Sequence, residues 1–142
     1  MTAASPDDPR PRRGRAFDEI EIGETAALRR TVRADDLFVF ANASGNHNPM
    51  HLPGPGRDDP VAPAQWVASL ISAVVGNRLP GPGALYLAQR FEVAGRAHAG
   101  DVLEARVTVR AKGPDRRVTL DAEVVDQTGA RVLFGEAVVE AP

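Results

Sequence analysis

The sequence predicts an α+β fold in which one long buried helix is wrapped by a curved antiparallel β-sheet. Three observations carry that expectation. The last third of the 142-residue chain alternates apolar and polar residues with a period of two, the pattern of strands with one wet face. A central run over about residues 64–75 is apolar on every side at helical spacing, which calls for burial all round. The composition, 43% apolar and 25% charged, is that of a globular domain with enough residues to bury a core.

The elements follow in order. Residues 1–16 are rich in Pro, Asp and Arg and are expected to form a disordered tail, leaving residues 17–142 as a single domain. Arg12 and Arg13 have the form of a twin-arginine export signal, but the apolar segment such a signal needs does not follow them. Residues 27–32 read as a short strand. A short helix is expected over about 34–43, with Asp35 and Asp36 in its first turn and Leu37, Phe40, Ala41 and Ser44 on one face. Gly45 stops it, and Pro49 keeps helix from resuming at once. The Pro- and Gly-rich stretch 52–63 is loop.

Pro63 suits the entry to the central helix, where a missing N–H costs nothing. Gly76 and Asn77 close that helix, and Leu79-Pro80-Gly81-Pro82-Gly83 turns the chain. Residues 85–93 form the first strand of the last third. Next, Leu103, Ala105, Val107 and Val109 alternate with Glu104, Arg106, Thr108 and Arg110. Val118, Leu120, Ala122 and Val124 repeat the pattern after a Gly113-Pro114-Asp115 turn, and Leu133, Gly135, Ala137 and Val139 after Gln127-Thr128-Gly129. Three such strands with tight connections make an antiparallel meander whose dry face needs a cover. The helix at 64–75 is the available cover.

Composition also excludes function classes. A net charge of −2 leaves no electrostatic footprint for nucleic acid or an anionic membrane. No apolar run approaches the ~18 residues of a membrane span. Zero cysteines remove disulfides, thiolate metal sites and cysteine nucleophiles, and suit a cytoplasmic protein.

Chemically able side chains crowd into one stretch, Ser44-Gly45-Asn46-His47-Asn48-Pro49-Met50-His51. His51 is a candidate acid/base residue, because imidazole titrates near neutral pH; a structural histidine bonded to nearby backbone is the alternative. Asn46 either orients a water or substrate carbonyl or caps the preceding helix. Ser44 and Asn48 are candidates to touch substrate or to hold the loop's own backbone. His47 and His51 have the spacing of a helical metal pair, but Pro49 lies between them and position 48 is Asn, so no metal is expected. His98 falls in a connecting turn and is expected to face solvent. Trp66 suits core or tunnel lining, and Arg78, Arg90 and Arg96 are candidates for phosphate contacts.

With Phe40-Ala41 ahead of this loop, Leu79 to Gly83 and Gly100-Asp101 after it, and Gly135 in the last strand, the chain resembles a known family. These are the MaoC-like (R)-specific enoyl-CoA hydratases and dehydratases of the hotdog fold, whose loop reads Ser-Gly-Asp-x-Asn-Pro-x-His. The resemblance covers residues 17–142. It implies hydration of a trans-2-enoyl-CoA to the (R)-3-hydroxyacyl-CoA, or the reverse, with coenzyme A carried by the substrate and no separate cofactor. It further implies His51 as acid/base residue, Asn46 at the position of the water-activating Asp, and a backbone N–H at Ala64 or Gln65 holding the thioester oxygen. Ser44, Asn48 and Trp66 become substrate-binding candidates. Hotdog domains generally pair, which implies a homodimer.

Three departures bear on the activity. Asn46 replaces the family's Asp, and an amide cannot act as a base. Ala62-Pro63-Ala64 stands where the family has Ala-His-Gly, and the segment between His51 and the helix is shorter than usual. These favour, as the alternative reading, a catalytically silent subunit that binds acyl thioesters or completes a partner's site. A thioesterase often carries a carboxylate on the central helix, and residues 64–77 hold no Asp or Glu.

Overall fold

A computed structural model of the chain describes residues 13–142. Its described residues form five strands, β1 (Thr25–Thr31), β2 (Leu85–Val93), β3 (Val102–Lys112), β4 (Arg117–Val125) and β5 (Arg131–Glu140). Two α-helices accompany them, α1 (Ala34–Ser44) and α2 (Ala64–Asn77). The strands make one antiparallel sheet in the order β1-β3-β4-β5-β2, and α2 packs against all five of them. This is the helix wrapped by a sheet that the periodicity implied, the arrangement of a hotdog fold.

The alternating residues sort as their period requires. Leu103, Ala105, Val107 and Val109 of β3, Val118, Leu120, Ala122 and Val124 of β4, and Leu133, Ala137 and Val139 of β5 are all buried against α2. Their neighbours pair across the wet face, Arg106 with Glu104, and Arg110 with both Asp121 and Glu136. Register shifts between Tyr86 and Ala88, Val109 and Ala111, and Val124 and Val125 bend the strands, as bulges do, so the sheet can curl around a helix. Gly135 sits where β5 lies tight against β2: a Cβ there would meet the Arg90 carbonyl oxygen at 1.9 Å, and the residue has φ +156°.

Two expectations need correction. Helix α2 is not buried all round: Trp66, Val67, Leu70, Ile71, Val74 and Val75 face the sheet, while Ala64, Gln65, Ser69, Ser72 and Gly76 remain exposed. One sheet covers one side of a helix, and the small and polar residues form the uncovered stripe. Of the tail expected over residues 1–16, residues 1–12 lie outside the described residues, and residues 13–16 are held by contacts. The Arg15 N–H donates to Pro80 O at 2.7 Å, and its guanidinium pairs with Glu24 at 3.0 Å.

Candidate active site

Helix α1 ends because Gly45 takes a left-handed φ of 80° and returns its N–H to Ala41 O at 2.9 Å. From there the loop is stitched by its own short polar side chains. Ser44 Oγ donates to Phe40 O at 2.7 Å and accepts from the Asn46 N–H at 3.1 Å. Asn46 Oδ1 accepts from the Asn48 N–H at 3.2 Å, and Asn48 Oδ1 from the Met50 N–H at 3.3 Å. Both asparagines make the local Asx bond that shapes turns. The helix is therefore capped by Gly45 and not by Asn46, and the Asn46 carbonyl oxygen is spent on the loop. His47 sits on the outside, its ring nitrogens 3.2 Å from Gly45 O and 3.3 Å from Asn42 Oδ1.

Pro49 then starts a single 3-10 turn, Pro49–His51, which turns His51 inward. The loop is anchored to the segment entering α2 at two points. Met50 O accepts from the Val61 N–H at 3.0 Å, and His51 Nδ1 lies 2.6 Å from Val61 O. A carbonyl only accepts, so Nδ1 carries the hydrogen and, in the neutral ring, Nε2 keeps its lone pair. The tautomer is thus fixed by the backbone. The same segment is clamped from its other side, where the Ala62 N–H donates to Ala97 O at 2.7 Å and the Ala99 N–H to Pro60 O at 3.0 Å. His98 opens the turn before β3, bridges Val61 through its backbone, and has a side chain that is 39% exposed.

His51 opens onto a cavity of about 140 Å³. Ala64 and Val67 of α2, Ala62 before it, Val93 at the end of β2, Gly95 to Ala97 after it, and Val132 and Leu133 of β5 supply most of the other walls. Its ionisable side chains are His51 and Arg96; no carboxylate lines it. Ala64 begins α2, and the first N–H groups of a helix lack internal partners. Pro63, one residue earlier, has no N–H to offer.

The structure brings together only part of the expected set. His51 and Ala64 share the cavity. Gln65 lies on the adjacent face of α2, in a separate hollow with Ser69, Ser72, Tyr86 and Gln89. There the Tyr86 hydroxyl is buried without a hydrogen-bond partner, and burial pushes its pKa up to about 12. Trp66 packs in the core, 7% exposed. Ser44, Asn46 and Asn48 are exposed and none of them lines the His51 cavity. Among the three arginines, Arg96 is on the cavity, Arg78 donates to Ala27 O at 2.7 Å, and Arg90 faces Glu136 across the sheet. Val67, Val93 and Leu133 were not legible as site residues, because only the folded sheet brings them beside His51.

No family model matches the chain. Individual relatives do. It is 36% identical to a 3-hydroxybutyryl-CoA dehydratase of Methylorubrum extorquens, over 89% of this chain and 83% of that protein. It is 34% identical to an (R)-specific enoyl-CoA hydratase of Rhodospirillum rubrum, over 89% and 91% respectively. Among solved structures, the unliganded R-hydratase PhaJ1 of Pseudomonas aeruginosa superposes with a TM-score of 0.85 at 33% identity, covering 91% of this chain and 86% of that one. The (R)-hydratase of Aeromonas caviae involved in PHA biosynthesis gives 0.81 at 33% identity, covering 87% and 98%.

Proposed function

The chain belongs to the MaoC-like (R)-specific enoyl-CoA hydratase and dehydratase family of the hotdog fold, and we propose that it interconverts trans-2-enoyl-CoA and (R)-3-hydroxyacyl-CoA. One observation carries the reading: His51, with its tautomer fixed, and the unpaired start of α2 at Ala64 border the same largely apolar cavity. In the hydration direction, His51 Nε2 takes a proton from water as the water oxygen bonds to C3 of the enoyl thioester. The C2–C3 π electrons move towards the thioester carbonyl, whose oxygen gains negative charge. The Ala64 N–H, with Gln65 beside it, holds that oxygen at the positive end of the helix. His51 then returns the proton to C2, and all atoms of water end in the product.

Asn46 cannot share the base's work: it lies outside the His51 cavity, and its amide oxygen holds the Asn48 N–H, so it serves by shaping the loop. Ser44 and Asn48 serve by fixing the loop, and Trp66 by fixing α2 from below. Arg96 is suited to a phosphate of coenzyme A. No metal or cofactor beyond the substrate's own coenzyme A is required by these steps.

The same reading extends to assembly. Strand β2 lies at a sheet edge and exposes Leu85, Leu87 and Val93. An open edge with apolar side chains favours pairing with a second copy, and a homodimer is the proposed state. No helix among the described residues is long and apolar enough to cross a membrane, and the absence of cysteine supports a cytoplasmic site of action. A silent subunit is the weaker reading, since relatives at 33–36% identity are named as hydratases and a dehydratase. Loss of the conjugated enoyl-thioester absorbance on incubating crotonyl-CoA with the protein, followed by chiral analysis of the product, tests the proposal. The (R) isomer is expected. An (S) product, or no turnover, would refute it.

A further inference from the structure

The carbonyl that fixes His51 sits in a segment that belongs to no helix and to none of the five strands. Val61 can aim its oxygen at Nδ1 only if its neighbours are held. Both are held from residues 97–99, the Ala62 N–H by Ala97 O and Pro60 O by the Ala99 N–H. That support is a turn built around one side chain. The Asp101 N–H donates to His98 O at 3.0 Å, and the His98 N–H donates to Asp101 Oδ2 at 2.8 Å, so the turn is closed in both directions. Asp101 Oδ1 accepts from Gln127 Nε2 at 2.9 Å, and Gln127 Oε1 accepts from the Val102 N–H at 3.1 Å. Gly100, at φ +98°, lets the chain reverse and donates its N–H to Val32 O at 2.8 Å, which pins the turn to the chain just after β1.

Resting on the hydratase reading above, we propose that Asp101 is a positioning residue for the reaction, acting with Gln127 through the 98–101 turn and the Val61 carbonyl to hold His51 in the tautomer that leaves Nε2 free. Neither side chain lines the His51 cavity, so neither touches substrate in this scheme. A carboxylate at 101 with an amide at 127 satisfies the bonds to His98, between the two side chains, and to Val102. The same two groups exchanged satisfy them equally. Amides at both positions set two donors face to face, and carboxylates at both set two acceptors. A turn loosened in that way lets Val61 O drift from Nδ1, and a neutral imidazole without that bond favours hydrogen on Nε2, where the proton blocks the base.

Long-range proton–nitrogen NMR spectra of the full chain, recorded where the rings are neutral, read the tautomers of its three histidines. His51→Ala identifies the His51 signals. Wild type is expected to carry the His51 hydrogen on Nδ1. Asp101→Asn and Gln127→Glu, singly, are expected to shift those signals towards the other tautomer and to lower kcat with crotonyl-CoA about three- to tenfold with little change in KM. The double variant Asp101→Asn/Gln127→Glu is expected to restore both signals and rate. Wild-type His51 with its hydrogen on Nε2 overturns the proposal, as do single variants that keep the wild-type signals. A shifted tautomer with unchanged kcat in an active enzyme overturns the positioning role, and so does a double variant no better than the singles. Should a single variant not fold, the double decides alone: wild-type His51 signals uphold the coupling, and altered signals or an unfolded chain overturn it. Tautomer shifts and their rescue without turnover of crotonyl-CoA by any form would sink the hydratase reading and leave the link from Asp101 to His51 standing.

Discussion

His51 owes its usefulness to a backbone carbonyl. Val61 O holds Nδ1 at 2.6 Å, which fixes the ring's tautomer and its direction together. Replacing His51 by Ala is expected to lower kcat by about 10²- to 10⁴-fold, the usual worth of a general acid/base group. The fold should survive, since the ring is only half-buried. Asn46 makes the contrasting prediction. Asn46→Asp is expected to leave kcat unchanged, because position 46 lies outside the His51 cavity and a carboxylate there does not meet the reacting water. Steady-state rates with crotonyl-CoA check both, and a slower Asn46→Asp would mean that the amide has its own role.

The elements differ in how far the sequence revealed them. Helix α2 and strands β3, β4 and β5 were legible because burial on one face imprints its period on the residues, 3.6 for a helix and two for a strand. The exposed stripe through Gln65, Ser69 and Ser72 was harder to see, because small residues pass for apolar in a helical count. The loop from Ser44 to His51 could be located from its polar side chains and its Gly and Pro. Which of those side chains enter the cavity could not, since that depends on the Val61 anchor and on residues far along the chain. Ile71 is fully buried on α2, and Ile71→Ala is expected to cost about 2–5 kcal/mol. Gly135→Ala should cost about 1–3 kcal/mol, because its Cβ collides with the Arg90 carbonyl and neither strand can retreat alone. Denaturant midpoints of the two variants check these values.

On the scale of the whole molecule, the sheet edge and the surface charges govern behaviour. Light scattering is expected to give twice the mass of the single chain; a monomer would refute pairing through β2. Stability should fall in acid for a reason visible on the wet face. Arg106 and Arg29 hold the Glu104 carboxyl below its ordinary range, and Arg110 does the same for Glu136. A carboxyl depressed in the folded state adds stability above its unfolded pKa and loses it as pH falls through the folded value. Thermal midpoints should therefore decline below the ordinary glutamate range and stay level above it as far as these groups are concerned. Screening by salt should flatten that decline, because the pairs are on the surface.

All of this depends on one site still performing chemistry without the family's Asp. The most direct measurement is crotonyl-CoA hydration by wild type beside His51→Ala, with circular dichroism to establish that both are folded. Measurable turnover by wild type and a loss of about 10²-fold or more in the variant is the expected result. Equal rates from two folded proteins, or none from wild type, would contradict it.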